Sequence, residues 1–216
     1  MASQTQQLEN PVVPNLGYPT EVYERRHFNE NNGSLNIYFK KLSSVLGSLF
    51  GPRGGKFMNN PYGAFQDSTD QMAANTTTAY AITLNTTDFS NGVTLASGSR
   101  ITVVDAGIWN LQFSIQVKNT TNDTQDIEIW FRKNGTNIDN SNSRFNLSPR
   151  KSSGDPSHTI AALNFFASMD STDYLEIMWR VSDVGVSIEH YAAGTSPTRP
   201  ATPSAIVTMS FVSNIT

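Results

Sequence analysis

The chain has no cysteine in its 216 residues. Disulfides, thiolate nucleophiles and Cys-type zinc sites are excluded. Charge is scarce too: Asp, Glu, Lys and Arg make up 15% of the residues, against about 25% in an ordinary soluble domain. The net charge is -3, and no block of basic residues occurs, which argues against nucleic acid as a partner. No apolar run approaches the roughly 18 residues a membrane span needs. The first residues, MASQTQQ, lack the basic start and apolar stretch of a signal peptide. In place of charge stand Ser, Thr and Asn, roughly 30% of the chain against ordinary usage. With 12 Phe and 7 Tyr, this composition is that of an all-β surface protein.

Four segments follow from the order of residues. Residues 1–33 are expected to be an extended arm, because Pro11, Pro14 and Pro19 remove backbone donors and enforce extended geometry. Residues 34–50 are expected to be the single helix. Ser34 is the candidate N-cap, and Leu35, Tyr38, Phe39, Leu42, Val45, Leu46 and Leu49 follow at helical spacing until Gly51 and Pro52 end it. This apolar face suits packing on its own domain, docking in a partner's groove or bundling with copies. The seam from Leu35 to Leu49 barely exceeds two heptads, too few to establish a coiled coil. Residues 51–63 read as a glycine-rich linker, because Gly54, Gly55 and Lys56 lack the spacing of a phosphate loop.

From residue 64 to 216 period two dominates. Trp109, Leu111, Phe113, Ile115 and Val117 line one face of a strand, with Asn110, Gln112, Ser114 and Gln116 on the other. Ile127, Ile129 and Phe131 alternate next and lead into Asn134 and Gly135, a hairpin signal. Leu175, Ile177, Trp179 and Val181, then Ala205, Val207, Met209 and Phe211, complete the strongest strands. Weaker ones lie at 80–84, 101–104, 159–169 and 186–191. The pattern predicts a mainly β fold, an antiparallel jelly-roll sandwich. The strand at 160–169 is apolar on both faces, with Ile160, Ala162 and Phe166 opposite Ala161, Leu163 and Phe165. It needs a further covering layer.

Chemistry is hard to find. His27, His158 and His190 have no partner at metal-ligand spacing, and no nucleophile elbow occurs. Asp123, Asp126 and Glu128 cluster at one strand end, where a solvated strand end competes with an acid/base pair or a cation site. Trp130 lies on the polar face of its strand and is a candidate glycan contact, an interface residue, or a side chain under a loop. No catalytic group, cofactor or metal is expected, and no enzyme is predicted.

Several stretches resemble a known family. Residues 106–117 (AGIWNLQFSIQV), 129–135 (IWFRKNG), 165–177 (FFASMDSTDYLEI) and 200–211 (PATPSAIVTMSF) are similar to strands of the C1q/TNF-like jelly roll. With 23–28 (YERRHF) and the helix upstream, the chain resembles virion structural proteins of short-tailed marine, cyanobacterial-type bacteriophages. The resemblance implies a trimer and a place in the tail, collar, fibre tip or capsid decoration of a phage particle. It implies a virion component made in the host cytoplasm, with neighbouring virion proteins as partners and neither nucleic acid nor membrane. Leu35, Tyr38, Phe39, Leu42, Val45, Leu46 and Leu49 are then the docking residues. Phe166, Tyr174, Met178 and Tyr191, which face away from the expected sandwich interior, are assigned to the subunit interface. A host-receptor or glycan-binding module is the alternative. No collagen-like repeat, cysteine or Asp-rich calcium loop of the animal members is present.

Overall fold

The computed structural model describes residues 11–18, 21–50 and 60–214, with helix side chains described as far as Gly47. Contacts divide the chain into two units, Met1–Asn59 and Asn60–Thr216.

The first unit is built on one helix, α1 (Arg25–Phe50), of 26 residues, about 39 Å long at 1.5 Å per residue. It starts nine residues before the expected boundary at 34, so only the described residues 11–18 and 21–24 remain as a non-helical arm. Ser34 is no N-cap. It sits inside the helix, and its Oγ donates to the Glu30 carbonyl at 3.0 Å, the back-bond an interior serine makes to the preceding turn. Two i,i+4 contacts support the added turns: Arg26 Nε donates to Glu30 Oε1 at 2.8 Å and Asn31 bonds His27 Nε2 at 3.1 Å. The arm approaches this end closely. A Cβ on Gly17 would stand 2.7 Å from the His27 ring, so the glycine permits the contact.

The second unit is mainly β and antiparallel. Its strands are β1 (Tyr62–Asp67), β2 (Gln71–Met72), β3 (Tyr80–Ala81), β4 (Thr86–Asn91), β5 (Val93–Ala96), β6 (Arg100–Val103), β7 (Gly107–Asn119) and β8 (Gln125–Lys133). Then come β9 (Thr136–Asn137), β10 (Ser143–Leu147), β11 (Ser157–Met169), β12 (Tyr174–Val181), β13 (Val186–Ile188), β14 (Gly194–Thr195), β15 (Thr198–Arg199) and β16 (Ala205–Ser213). The first sheet runs β2-β13-β7-β16-β1-β4, with β11 paired along β7. The second runs β10-β8-β12-β6-β5, with β3 on β12 and β9 on β8. The unit starts before the expected boundary at 64, because Tyr62 and Gly63 already pair with Ser210 and Met209.

The alternation read from the sequence is the alternation of the core. Trp109, Leu111, Phe113, Ile115 and Val117 of β7 meet Ile127, Ile129 and Phe131 of β8 and Leu175, Ile177, Trp179 and Val181 of β12. Each such side chain contributes about 1.5–3 kcal/mol on burial. Phe131 ties the layers together: its ring lies 5.9 Å from Phe113 and stacks on Phe165 at 4.4 Å. The hairpin after β8 turns through Asn134 and Gly135, whose φ angles are +49° and +82°, the pair of positive values that favours Asn-Gly. Asn134 Nδ2 also bonds Asp173 Oδ1 at 2.6 Å. Burial disfavours the Asp173 charge, but this bond, the Asp170 backbone N–H and Lys133 outweigh it and hold its pKa low.

Candidate functional site

Three surfaces carry the residues singled out from the sequence. The first is the outer face of the first sheet. Register places Phe166, Asn110, Ser210 and Tyr62 in one row across β11, β7, β16 and β1. The next rows are Asn164, Gln112, Thr208 and Ala64, then Ala162, Ser114, Ile206 and Gln66. None of these residues carries a charge. Charge returns only at the margins, with Asp88 on β4 and with Lys118, opposite His158, at one end. Phe166 and Ile160 are 55% and 59% exposed, and Ile206 is 42% exposed. The Asn110 side-chain oxygen is buried without a hydrogen-bond partner. Beside this face, β11 pairs with β7 over all 13 residues, and no strand pairs with its other edge among the described residues.

The second surface is the outer face of the second sheet, and it is the opposite in character. Glu128 accepts from Arg180 Nη2 at 2.8 Å and from Arg144 Nη2 at 2.7 Å. Glu176 is buried on this face and accepts from Arg132 Nη2 at 2.8 Å and Ser99 Oγ at 2.9 Å. The bond from Arg180, joined by those from Arg144 and Asn142, outweighs burial and holds the Glu128 carboxyl down at about 2. Asp126 accepts from Asn146 Nδ2 at 2.9 Å. Both carboxylates are thus occupied by cations and amides, so an acid/base pair at this strand end is not formed. No group of three or more His, Asp or Glu residues suited to a metal occurs among the described residues.

Trp130 lies between these ion pairs, half-buried, with its Nε1 donating to Asn137 Oδ1 at 2.9 Å. It lines a shallow groove with Ile138, Asp139, Asn140 and Asn142. All three sequence readings of Trp130 thus keep a basis: the 137–142 loop borders it, while one side opens on a groove.

The third surface is a polar cluster at the end of β11. Tyr191 Oη donates to Glu189 Oε2 at 2.5 Å and meets His158 Nδ1 at 2.7 Å, while Lys118 pairs with Glu189. Burial, then the Glu189 carboxylate, raises the Tyr191 pKa, so the phenol keeps its proton.

The four residues assigned to a subunit interface do not come together. Phe166 stands on the uncharged face and Tyr191 near its charged margin. Tyr174 is on the other sheet, under the Arg100 guanidinium at 4.6 Å. Met178 is only 2% exposed, in register between Trp130 and Ala81, so it offers nothing to a partner. Of the docking residues, Leu35, Tyr38, Leu42 and Val45 are half-exposed and Phe39 and Leu46 exposed; the Leu49 side chain lies outside the described residues. The sequence reading missed Ile206, Tyr62 and Asn110 as surface candidates. Their signal was the missing charge at outward positions of three strands, which shows only after register aligns them.

A scan against protein-family models finds no match, and no curated protein sequence matches the chain.

Proposed function

We propose that this chain is a non-enzymatic structural component of a bacteriophage virion that assembles through its β unit as a trimer. The carrying observation is the outer face of the first sheet. A solvent-facing sheet normally carries charge, as the second sheet does; three aligned rows across four strands without any charge suit burial against another protein. Strand spacing of about 4.8 Å and a rise of about 3.3 Å per residue make the part all four strands share, set by the six residues of β1, about 19 Å by 20 Å, on the order of 400 Å². That is about half of the ~800 Å² per partner of a standard interface, and the β11 edge beside it adds to it.

The partner is a second copy of the chain. A ring needs two different surfaces that meet head to tail. The uncharged face and the free edge of β11 are two such surfaces, and the pairing covers an edge that otherwise invites aggregation. Ile160 and Phe166 on β11 then gain the covering layer that their apolar outward positions demand. The resemblance of 64–216 to the C1q/TNF-like jelly roll supports the trimer. The resemblance of 20–50 to phage virion proteins supports a tail-associated ring, collar or fibre-docking position ahead of capsid decoration. The arm and helix attach the head to neighbouring virion proteins.

Sedimentation of the full chain tests the assembly. A trimer that Ile206→Asp converts to a folded monomer is the expected result; a monomeric parent chain at micromolar concentration overturns it. The Trp130 groove favours a second reading, a glycan-binding module. Loss of host-cell attachment by Trp130→Ala particles that assemble normally would select it.

A further inference from the structure

The helix begins nine residues earlier than its sequence pattern announces, and this changes what its apolar face can do. From Leu35 onward the seam spans barely two heptads. From Arg25 it includes Phe28 and Asn31, and the spacing becomes Phe28, Asn31, Leu35, Tyr38, Leu42, Val45. That is an unbroken alternation of three and four residues through the described side chains of α1. Phe28, Leu35 and Leu42 take one heptad position, a, and Asn31, Tyr38 and Val45 take the other, d.

The same helix is poor in intrinsic stability. Gly33 and Gly47 lie in its interior, each costing about 1 kcal/mol relative to alanine, and Asn and Ser occupy many of its other positions. Such a sequence holds 26 helical residues only when packing supports it. Yet no described side chain from Arg25 to Gly47 is buried. At the helix start the arm supplies some packing, with Leu16 and Gly17 bordering a pocket lined by His27, Phe28 and Asn31; from Leu35 to Gly47 the described side chains remain uncovered.

We propose that α1 of three copies of this chain wind together as a parallel, in-register bundle with the seam inside. The proposal rests on the trimeric reading above and names the first partner of its docking helix. Strict three-four spacing averages 3.5 residues, the period of helices wound around like helices, whereas a straight helix on a globular surface follows 3.6. Leucine at a with β-branched Val45 at d disfavours two strands. Phe39 and Leu46 sit one position beyond d and widen the apolar face for a third. A trimeric head would hold three helices within reach of the residues 51–59 that join them, which raises their effective concentration. The outer positions, Ile37 among them, then meet the neighbouring virion protein.

Because the chain lacks cysteine, one introduced thiol reports one position. Full-length Leu42→Cys, oxidised gently, should form disulfide-linked dimers at least about tenfold faster than Lys40→Cys, which lies on the outer side. At completion one chain in three should remain unlinked, since a trimer has an odd thiol. Equal rates in a chain that sediments as a trimer overturn the bundle and leave the head assembly standing. A trimer linked through Leu42→Cys despite Ile206→Asp keeps the bundle and overturns the head contact. A monomeric parent chain overturns both, and complete linkage into dimers overturns the threefold count.

Discussion

Phe166 stands directly across the β11–β7 ladder from Asn110, whose side-chain oxygen is buried with no donor. The Phe166 ring is 55% exposed on an uncharged face, the kind of apolar surface that a partner covers. Phe166→Asp should therefore dissociate the full chain, read by sedimentation. Its thermal midpoint should hold within about 4 °C, because a surface change costs about 0.5 kcal/mol or less.

Met178 should behave in the opposite way. It is 2% exposed, so Met178→Ala should cost about 2–5 kcal/mol in denaturant unfolding and leave the sedimenting species of the folded protein unchanged. The contrast with Phe166 separates packing within the chain from packing between chains.

These two residues show how far the sequence could be read. Period two assigned Trp109, Phe113, Ile129 and Trp179 to the interior, because a strand has only two sides. It also placed Met178 on the outward side, correctly. It could not tell that Met178 lies between Trp130 and Ala81 and is covered, since cover depends on register with strands far away in the chain. The helix start failed for a different reason. Asn31, Asn32 and Gly33 are residues of turns, and Ser34 is a preferred cap. The His27–Asn31 and Arg26–Glu30 contacts and the Ser34–Glu30 back-bond show the helix running through them. The uncharged face emerged only once β11, β7, β16 and β1 were laid side by side.

Acid should loosen the second sheet. Glu128 titrates at about 2 in the folded chain, against an ordinary value of 4.5. A lowered carboxyl pKa stabilises the fold above the unfolded value, and that stabilisation fades as pH falls from about 4.5 to about 2. Glu128→Gln should cost about 2 kcal/mol at pH 7, allowing for the partly exposed Arg180 and Arg144. The difference from the parent chain should shrink steadily in unfolding curves recorded below pH 4.5.

Gly107 opens β7 where the chain comes close to itself. A Cβ there would stand 2.4 Å from Cε2 of Phe211 and 2.7 Å from the Ser213 carbonyl oxygen. The Phe211 ring also packs edge-on against Trp109 at 5.4 Å, so it has little room to move. Gly107→Ala should destabilise by about 1–3 kcal/mol, measured by chemical denaturation.

The pairing of β7 has a kinetic consequence. One edge is taken by β11 and the other is shared between β16 and β13, all of them later in the chain. The central strand therefore leaves the ribosome with neither neighbour made. Its last one, β16, follows nine strands later in the chain. Contacts so distant in sequence close slowly, so the nascent strand with its Trp, Leu, Phe and Ile side chains has to wait open for its partners. Completion of the native sheet then waits on β16, and the arrival of that strand decides when it happens.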